Sequence, residues 1–157
     1  VVIYFVNDTE ILNNNYGNFF TRNFQTAVLI WKFYHSLNQN LGIEKLEEYY
    51  KKKYDVNFKG YQDAVNSLSK LSEHCKLNNK ACVLAIMPDI HQMEPYKLDF
   101  IHTKMQIISE ELNFNFIDFL PEIKKVEAKK LWNDYKDPHP NAIGHSIMAK
   151  VLFENIK

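Results

Sequence analysis

Two uninterrupted apolar runs constrain this chain more than any other feature: Val1-Val2-Ile3-Tyr4-Phe5-Val6 and Ala81-Cys82-Val83-Leu84-Ala85-Ile86-Met87. Neither alternates polar with apolar residues, as expected for strands buried on both faces of a parallel sheet. Parallel neighbours need a crossover connection, usually a helix, and stretches of helical period lie in the right places. Phe24, Ala27, Val28, Trp31, Tyr34 and Leu37 recur at steps of three and four across 22–40. Tyr61, Ala64, Val65, Leu68, Leu71 and Cys75 do so across 61–77, closed by Asn78-Asn79. Leu98, Ile101, Met105, Ile108 and Leu112 do so across 96–112. A short strand over Phe114–Phe119 follows, then a lysine-rich connection from Leu120 to Lys136. A last helix is predicted over 141–156, with Ile143, Ile147, Met148, Val151 and Leu152 inward. Residues 11–21 and 54–60 read as loops, and 43–53 as a short helix or an insertion. Alternating apolar strands and amphipathic helices predict an α/β fold with helices packed on a parallel sheet.

Composition narrows the partners. The 157 residues are one domain's worth, and 46% hydrophobic content supports a core. Lys+Arg and Asp+Glu both total 19, which argues against a dedicated nucleic-acid binder. Lys51-Lys52-Lys53, Lys124-Lys125 and Lys129-Lys130 read as solvated helix faces. Cys75 and Cys82 lack zinc-site spacing, and a disulfide between them is open to the chain without being demanded. No apolar run reaches the roughly 20 residues of a membrane span. The sequence starts at Val1, directly in a strand, so it reads as a mature chain or a fragment and carries no targeting evidence.

Three polar clusters could carry chemistry: Asn7-Asp8, Asp89-Ile90-His91 and Asp137-Pro138-His139. The first two follow apolar strands, and in open α/β sheets sites assemble at the carboxyl ends of strands. The third can fold over the same edge. Asp137 and His139 each precede a proline, which pushes both toward extended, stiff backbone. A rigid loop presenting an acid beside a base suits general acid–base chemistry. The same residues also suit a plain helix lead-in, with Asn141 as the cap.

The block Asp137-Pro138-His139-Pro140-Asn141-x-x-Gly144-His145 before an apolar helix resembles the last conserved block of the SGNH (GDSL-type) serine hydrolases. Val1–Val6 running into Asn7-Asp8 resembles that family's strand ending in Gly-x-Asn-Asp. The resemblance covers essentially the whole chain. It implies a flavodoxin-like three-layer α/β/α sandwich with a parallel sheet, incomplete at the N-terminus, with residues 1–157 as the C-terminal part of one domain. It implies an esterase, lipase or acetylesterase acting on small-molecule, carbohydrate or lipid esters without a metal or other cofactor. His139 would be the general base and Asp137 the acid that orients it, while Asn7 would donate to the oxyanion. Asp89 and His91 would contact substrate. Tyr96, Tyr16, Phe19 and Phe20 would line the pocket or fill the core.

The chain departs from the family in three places. The usual Asp-x-x-His spacing falls on Lys136, so the acid is Asp137 or alternatively Asp134. Phe5 replaces the glycine of Gly-x-Asn-Asp. No Gly-Asp-Ser block is present, and Ser36, Ser67, Ser69, Ser72, Ser109 and Ser146 all fall on predicted helices. The resemblance therefore implies a nucleophile upstream of Val1 and a chain that is catalytically silent alone. It also implies an apolar open edge at Val1–Val6 through which copies could self-associate. Two other classes stay open: a metal-dependent hydrolase using Asp89, His91, Asp137 and His139 with His145 nearby, and a degenerate, non-catalytic binding domain.

Overall fold

Strand β2 (Val83–Met87) is buried at every residue and lies in the middle of a three-stranded parallel sheet. The structure, a computed structural model, describes residues 1–6, 9, 46–91, 93–134 and 137–156. Asn7, Asp8, Tyr16, Phe19, Phe20, Ser36, Lys136 and the predicted 22–40 helix lie outside the described residues, as does the side chain of Asp137. The chain divides into two compact units, Val1–Asp8 with Val65–Lys157, and Thr9–Ala64.

In the first unit, β1 (Val2–Phe5) pairs with β2 and β2 with β3 (Asn115–Asp118), all parallel. Ile3, Ala85 and Ile117 form one row across the sheet, and Tyr4, Ile86 and Asp118 the next. Burial on both faces holds for β2 but not for β1. Tyr4 and Val6 are buried, whereas Ile3 and Phe5 are 37% and 40% exposed. A helix is about 10–12 Å wide and strands lie about 4.8 Å apart, so one helix covers roughly two strands. Here Met148 and Val151 of α5 (Ala142–Asn155) share a buried cluster with Ala85, Met87 and Ile117, while Ile3 is outside it. An apolar run does not encode which of its faces finds a covering layer.

Helices α2 (Lys59–Leu77) and α3 (Asp99–Glu111) end in the same way. Asn79 and Asn113 take φ of 50° and 61°, and Asn tolerates this left-handed region better than most residues. The following amides reach back five residues: Lys80 N–H donates to the Cys75 carbonyl at 2.9 Å, and Phe114 N–H to that of Ser109 at 2.8 Å. These Schellman-type stops reverse the chain. The first one brings Cys82 alongside Cys75, with Cα atoms 6.2 Å apart, and the two form a disulfide. Cys82 precedes β2 rather than lying within it, although its carbonyl accepts the Asn115 N–H at 2.8 Å. Helix α3 packs on β2 and β3 and starts at Asp99, three residues later than periodicity predicts.

The lysine-rich connection has structure of its own. It holds α4 (Leu120–Ile123), a 3-10 turn at Ala128–Lys130, and β4 (Trp132–Asp134). β4 pairs antiparallel with β5 (Asp137–Pro140), which leads through Asn141 into α5. The extended backbone expected before each proline is that of β5. Ile143, expected inward, is exposed.

In the second unit, α1 (Leu46–Lys53) is the short helix anticipated between 43 and 53, with Tyr50 buried and Tyr54 buried just beyond it. Gly60 opens α2 at a close approach. A Cβ there would lie 1.9 Å from the Thr9 carbonyl oxygen and 2.7 Å from Phe58 Cε1, so only glycine fits.

Candidate active site

The parallel register puts the carboxyl ends of β2 and β3 on one edge, and the loop leaving β2 carries Asp89 and His91. Asp89 Oδ1 accepts the His91 backbone N–H at 3.0 Å, a local turn that fixes where His91 departs. The His91 ring packs on Trp132 of β4, centroids 4.3 Å apart and planes at 62°. Its Nε2 is buried with no hydrogen-bond partner among the described residues. Trp132 lies opposite Pro140 in the β4–β5 pair. One ring contact therefore joins the β2 loop to the hairpin that bears His139.

Asn141 builds the joint between that hairpin and α5. Its Oδ1 accepts the N–H groups of Ile143 at 2.9 Å and Gly144 at 3.2 Å, capping the helix. Its Nδ2 donates to the carbonyls of Lys130 at 2.9 Å and Trp132 at 3.0 Å. Gly144 completes the fit, since a Cβ there would lie 3.0 Å from Pro140 Cβ and 3.1 Å from the Leu131 carbonyl oxygen. The Asn and Gly of the motif are thus explained by packing. His139 is exposed on β5, His145 is exposed on the first turn of α5, and Asp134 is exposed on β4, where it pairs in register with Asp137.

A second constellation lies at the same edge. His102 of α3, 5% exposed, has Nδ1 2.8 Å from Asp118 Oδ1 at the end of β3. Its Nε2 lies 2.7 Å from the Tyr96 hydroxyl. A carboxylate only accepts, so Nδ1 donates to it; in the neutral imidazole Nε2 is then bare and accepts from the phenol. Asp118 Oδ1 also accepts the Leu120 N–H at 2.8 Å, at the start of α4. Burial pushes the Tyr96 phenol far above its ordinary range. The Asp89 backbone amide opposes the shift, and the carboxylates of Asp89, Asp118 and Asp99 add to it. Lys124 Nζ sits 5.1 Å from the Tyr96 ring centroid and 3.2 Å from Asp99.

Sequence reasoning passed over His102 and Asp118, although the signal was present. His102 falls on the apolar stripe of α3 between Leu98 and Met105, and a polar residue on a buried stripe requires a partner. Serines fall where expected among the described residues: Ser67, Ser69 and Ser72 on α2, Ser109 on α3, Ser146 on α5. The Ser72 and Ser109 hydroxyls donate to the Leu112 and Met105 carbonyls. No group of three or more His, Cys, Asp or Glu side chains gathers as a metal site among the described residues. No described helix is long and apolar enough to cross a membrane. A polar pocket bordered by Ser72, Lys76, Lys80, Cys82 and Asn115 lies at the opposite, amino end of the strands.

Compared with known proteins, the chain matches no family model, no curated protein and no solved structure.

Proposed function

We propose that this chain carries the acid–base half of an SGNH-type ester hydrolase, with its serine nucleophile supplied from outside residues 1–157. The observation that carries the reading is the β4–β5 hairpin. It holds an exposed His139 on extended backbone just ahead of a capped helix, and it docks through Trp132 on the loop at the carboxyl edge of a parallel sheet. Helix α3 covers β2 and β3 while α5 packs with Ala85 and Ile117, which supports the finer reading of a three-layer α/β/α sandwich.

In this mechanism His139 takes the serine hydroxyl proton as the oxygen attacks the ester carbonyl. The carbonyl π electrons move to oxygen, where Asn7 donates to the resulting oxyanion, a contribution typically of about 3 kcal/mol. Collapse expels the alcohol, which receives the proton from His139, and water then releases the acid by the same route in reverse. Asp137, or Asp134 across the hairpin, orients the imidazole. Asp89 and His91 contact the substrate, an ester of a small molecule, carbohydrate or lipid.

The test is p-nitrophenyl acetate hydrolysis by the protein with its upstream segment, beside residues 1–157 alone. The longer protein should be active and lose roughly a thousandfold or more on His139→Ala. Its circular dichroism should stay native, because His139 is exposed. Full activity in His139→Ala sinks the assignment of the base. Hydrolysis by residues 1–157 alone, abolished by His139→Ala, sinks the external nucleophile.

A further inference from the structure

The Tyr96–His102–Asp118 chain has no part in the mechanism above, yet it is a connected polar feature at that edge. It ties four separate segments. Asp118 ends β3 and holds the first amide of α4. His102 belongs to α3, and Tyr96 to the loop leaving β2. The same loop carries His91, with its ring on Trp132.

We propose that Tyr96, His102 and Asp118 are positioning residues that hold the loop leaving β2 where His91 seats on Trp132, and so help to set the place of the hairpin carrying His139. Each bond has a fixed direction. Asp118 makes Nδ1 the donor, and in the neutral imidazole this leaves Nε2 to accept from the Tyr96 hydroxyl. A phenol kept protonated by burial does not lose that role at ordinary pH. The chain is buried at its middle member, so removing either end leaves an imidazole nitrogen without a partner in a low-dielectric site. The loop can relieve that by moving, and His91 moves with it.

Trp132 supplies the readout. The chain has two tryptophans, so a Trp31→Phe background leaves Trp132 as the only emitter. In that background His91→Ala sets the reference for an uncovered indole: red-shifted emission and greater acrylamide quenching. Tyr96→Phe and Asp118→Leu, both of similar size to the residue replaced, remove one end of the chain each and should move the emission most of the way to that reference while circular dichroism stays native. Ile108→Val, a buried change on the same helix without a polar link, should lower thermal stability and leave Trp132 emission unchanged. If Tyr96→Phe and Asp118→Leu lower the melting temperature but keep wild-type emission, the chain only satisfies core polarity and the proposal fails. An emission shift in Ile108→Val equal to theirs would sink it too. Functional weight rests on the ester-hydrolase reading, but the emission does not. Shifted emission in the longer protein without esterase activity refutes that reading alone. Unshifted emission in an active one refutes the positioning role alone.

Discussion

Replacing Asn141 by Asp and by Ala separates two jobs that this one side chain performs. As an acceptor it caps α5 through Ile143 and Gly144, and as a donor it holds Lys130 and Trp132. Alanine removes both. Loss of the cap costs about 1 kcal/mol, and each lost donor bond about 0.5–1.5 kcal/mol. The bond to Lys130 is exposed, so its carbonyl can be resolvated and sits at the low end of that range. Asn141→Ala should therefore lose roughly 2–3 kcal/mol in urea denaturation, with unchanged m. Aspartate keeps the acceptor and adds a charge that the helix N-terminus favours by about 0.3–1 kcal/mol. It has no donor, however, and turns a carboxylate toward two carbonyl oxygens. Asn141→Asp should lose about 1–2 kcal/mol, all of it from the hairpin side. Amide exchange localises the losses. In Asn141→Asp the Ile143 and Gly144 amides stay protected while the residue-141 amide, which donates to the Leu131 carbonyl, exchanges faster. In Asn141→Ala all three speed up. An Asp variant as stable as wild type would show that the donor bonds contribute nothing. An Asp variant as weak as Ala would show the same of the cap.

Gly60→Ala forces a methyl into the Thr9 carbonyl, a backbone atom that cannot rotate away. The expected loss is at the upper end of the roughly 1–3 kcal/mol typical of overpacking, and a loss under about 0.5 kcal/mol in urea melts would contradict the close approach. Tyr96 predicts an alkaline signature. The unfolded phenol ionises near pH 10, whereas burial keeps the folded one protonated. The unfolded state thus binds fewer protons above that pH, so stability is intact below about pH 10 and falls above it, by at most about 1.4 kcal/mol per pH unit. Subtracting the Tyr96→Phe curve should isolate this slope from the other tyrosines, and parallel curves would refute it.

The architecture was legible because its signals are local and redundant. An apolar run such as Val83–Met87 has few fates other than a central strand, and three- and four-residue spacing marked α2, α3 and α5. Their ends were legible where Asn could take a left-handed turn, as at Asn79. What escaped depends on pairing between distant segments. β4 is three residues long, too short to show a period, and exists because β5 lies opposite it. The disulfide follows from how α2 reverses, which spacing between Cys75 and Cys82 does not encode. Asp118 could be seen as a polar residue in an apolar strand, but its partner His102 sits 16 positions away on another element. The His91–Trp132 contact spans 41 positions and two residues of ordinary surface or core type, so nothing in either stretch announced it.

The resemblance of the Asp137–His145 motif to a catalytic block rests on residues of two kinds. Asn141 and Gly144 are required by the joint itself: one supplies donors and acceptors in four directions, and the other lets α5 approach Leu131 and Pro140. Any chain that needs this strand-to-helix joint has reason to keep them, with or without chemistry. His139 is the residue on which the proposed chemistry falls, exposed on the strand between two prolines. For that imidazole to act as a base, its hairpin must hold a fixed place relative to the sheet edge, because small misplacements of a reacting group are costly. Trp132 against His91 is one contact that connects the two, beside the buried cluster that Ile90 and Met93 share with Leu131, and Asn141 Nδ2 donates to the carbonyl of the same Trp132. Chemistry at His139 would thus depend on residues whose own roles are mechanical.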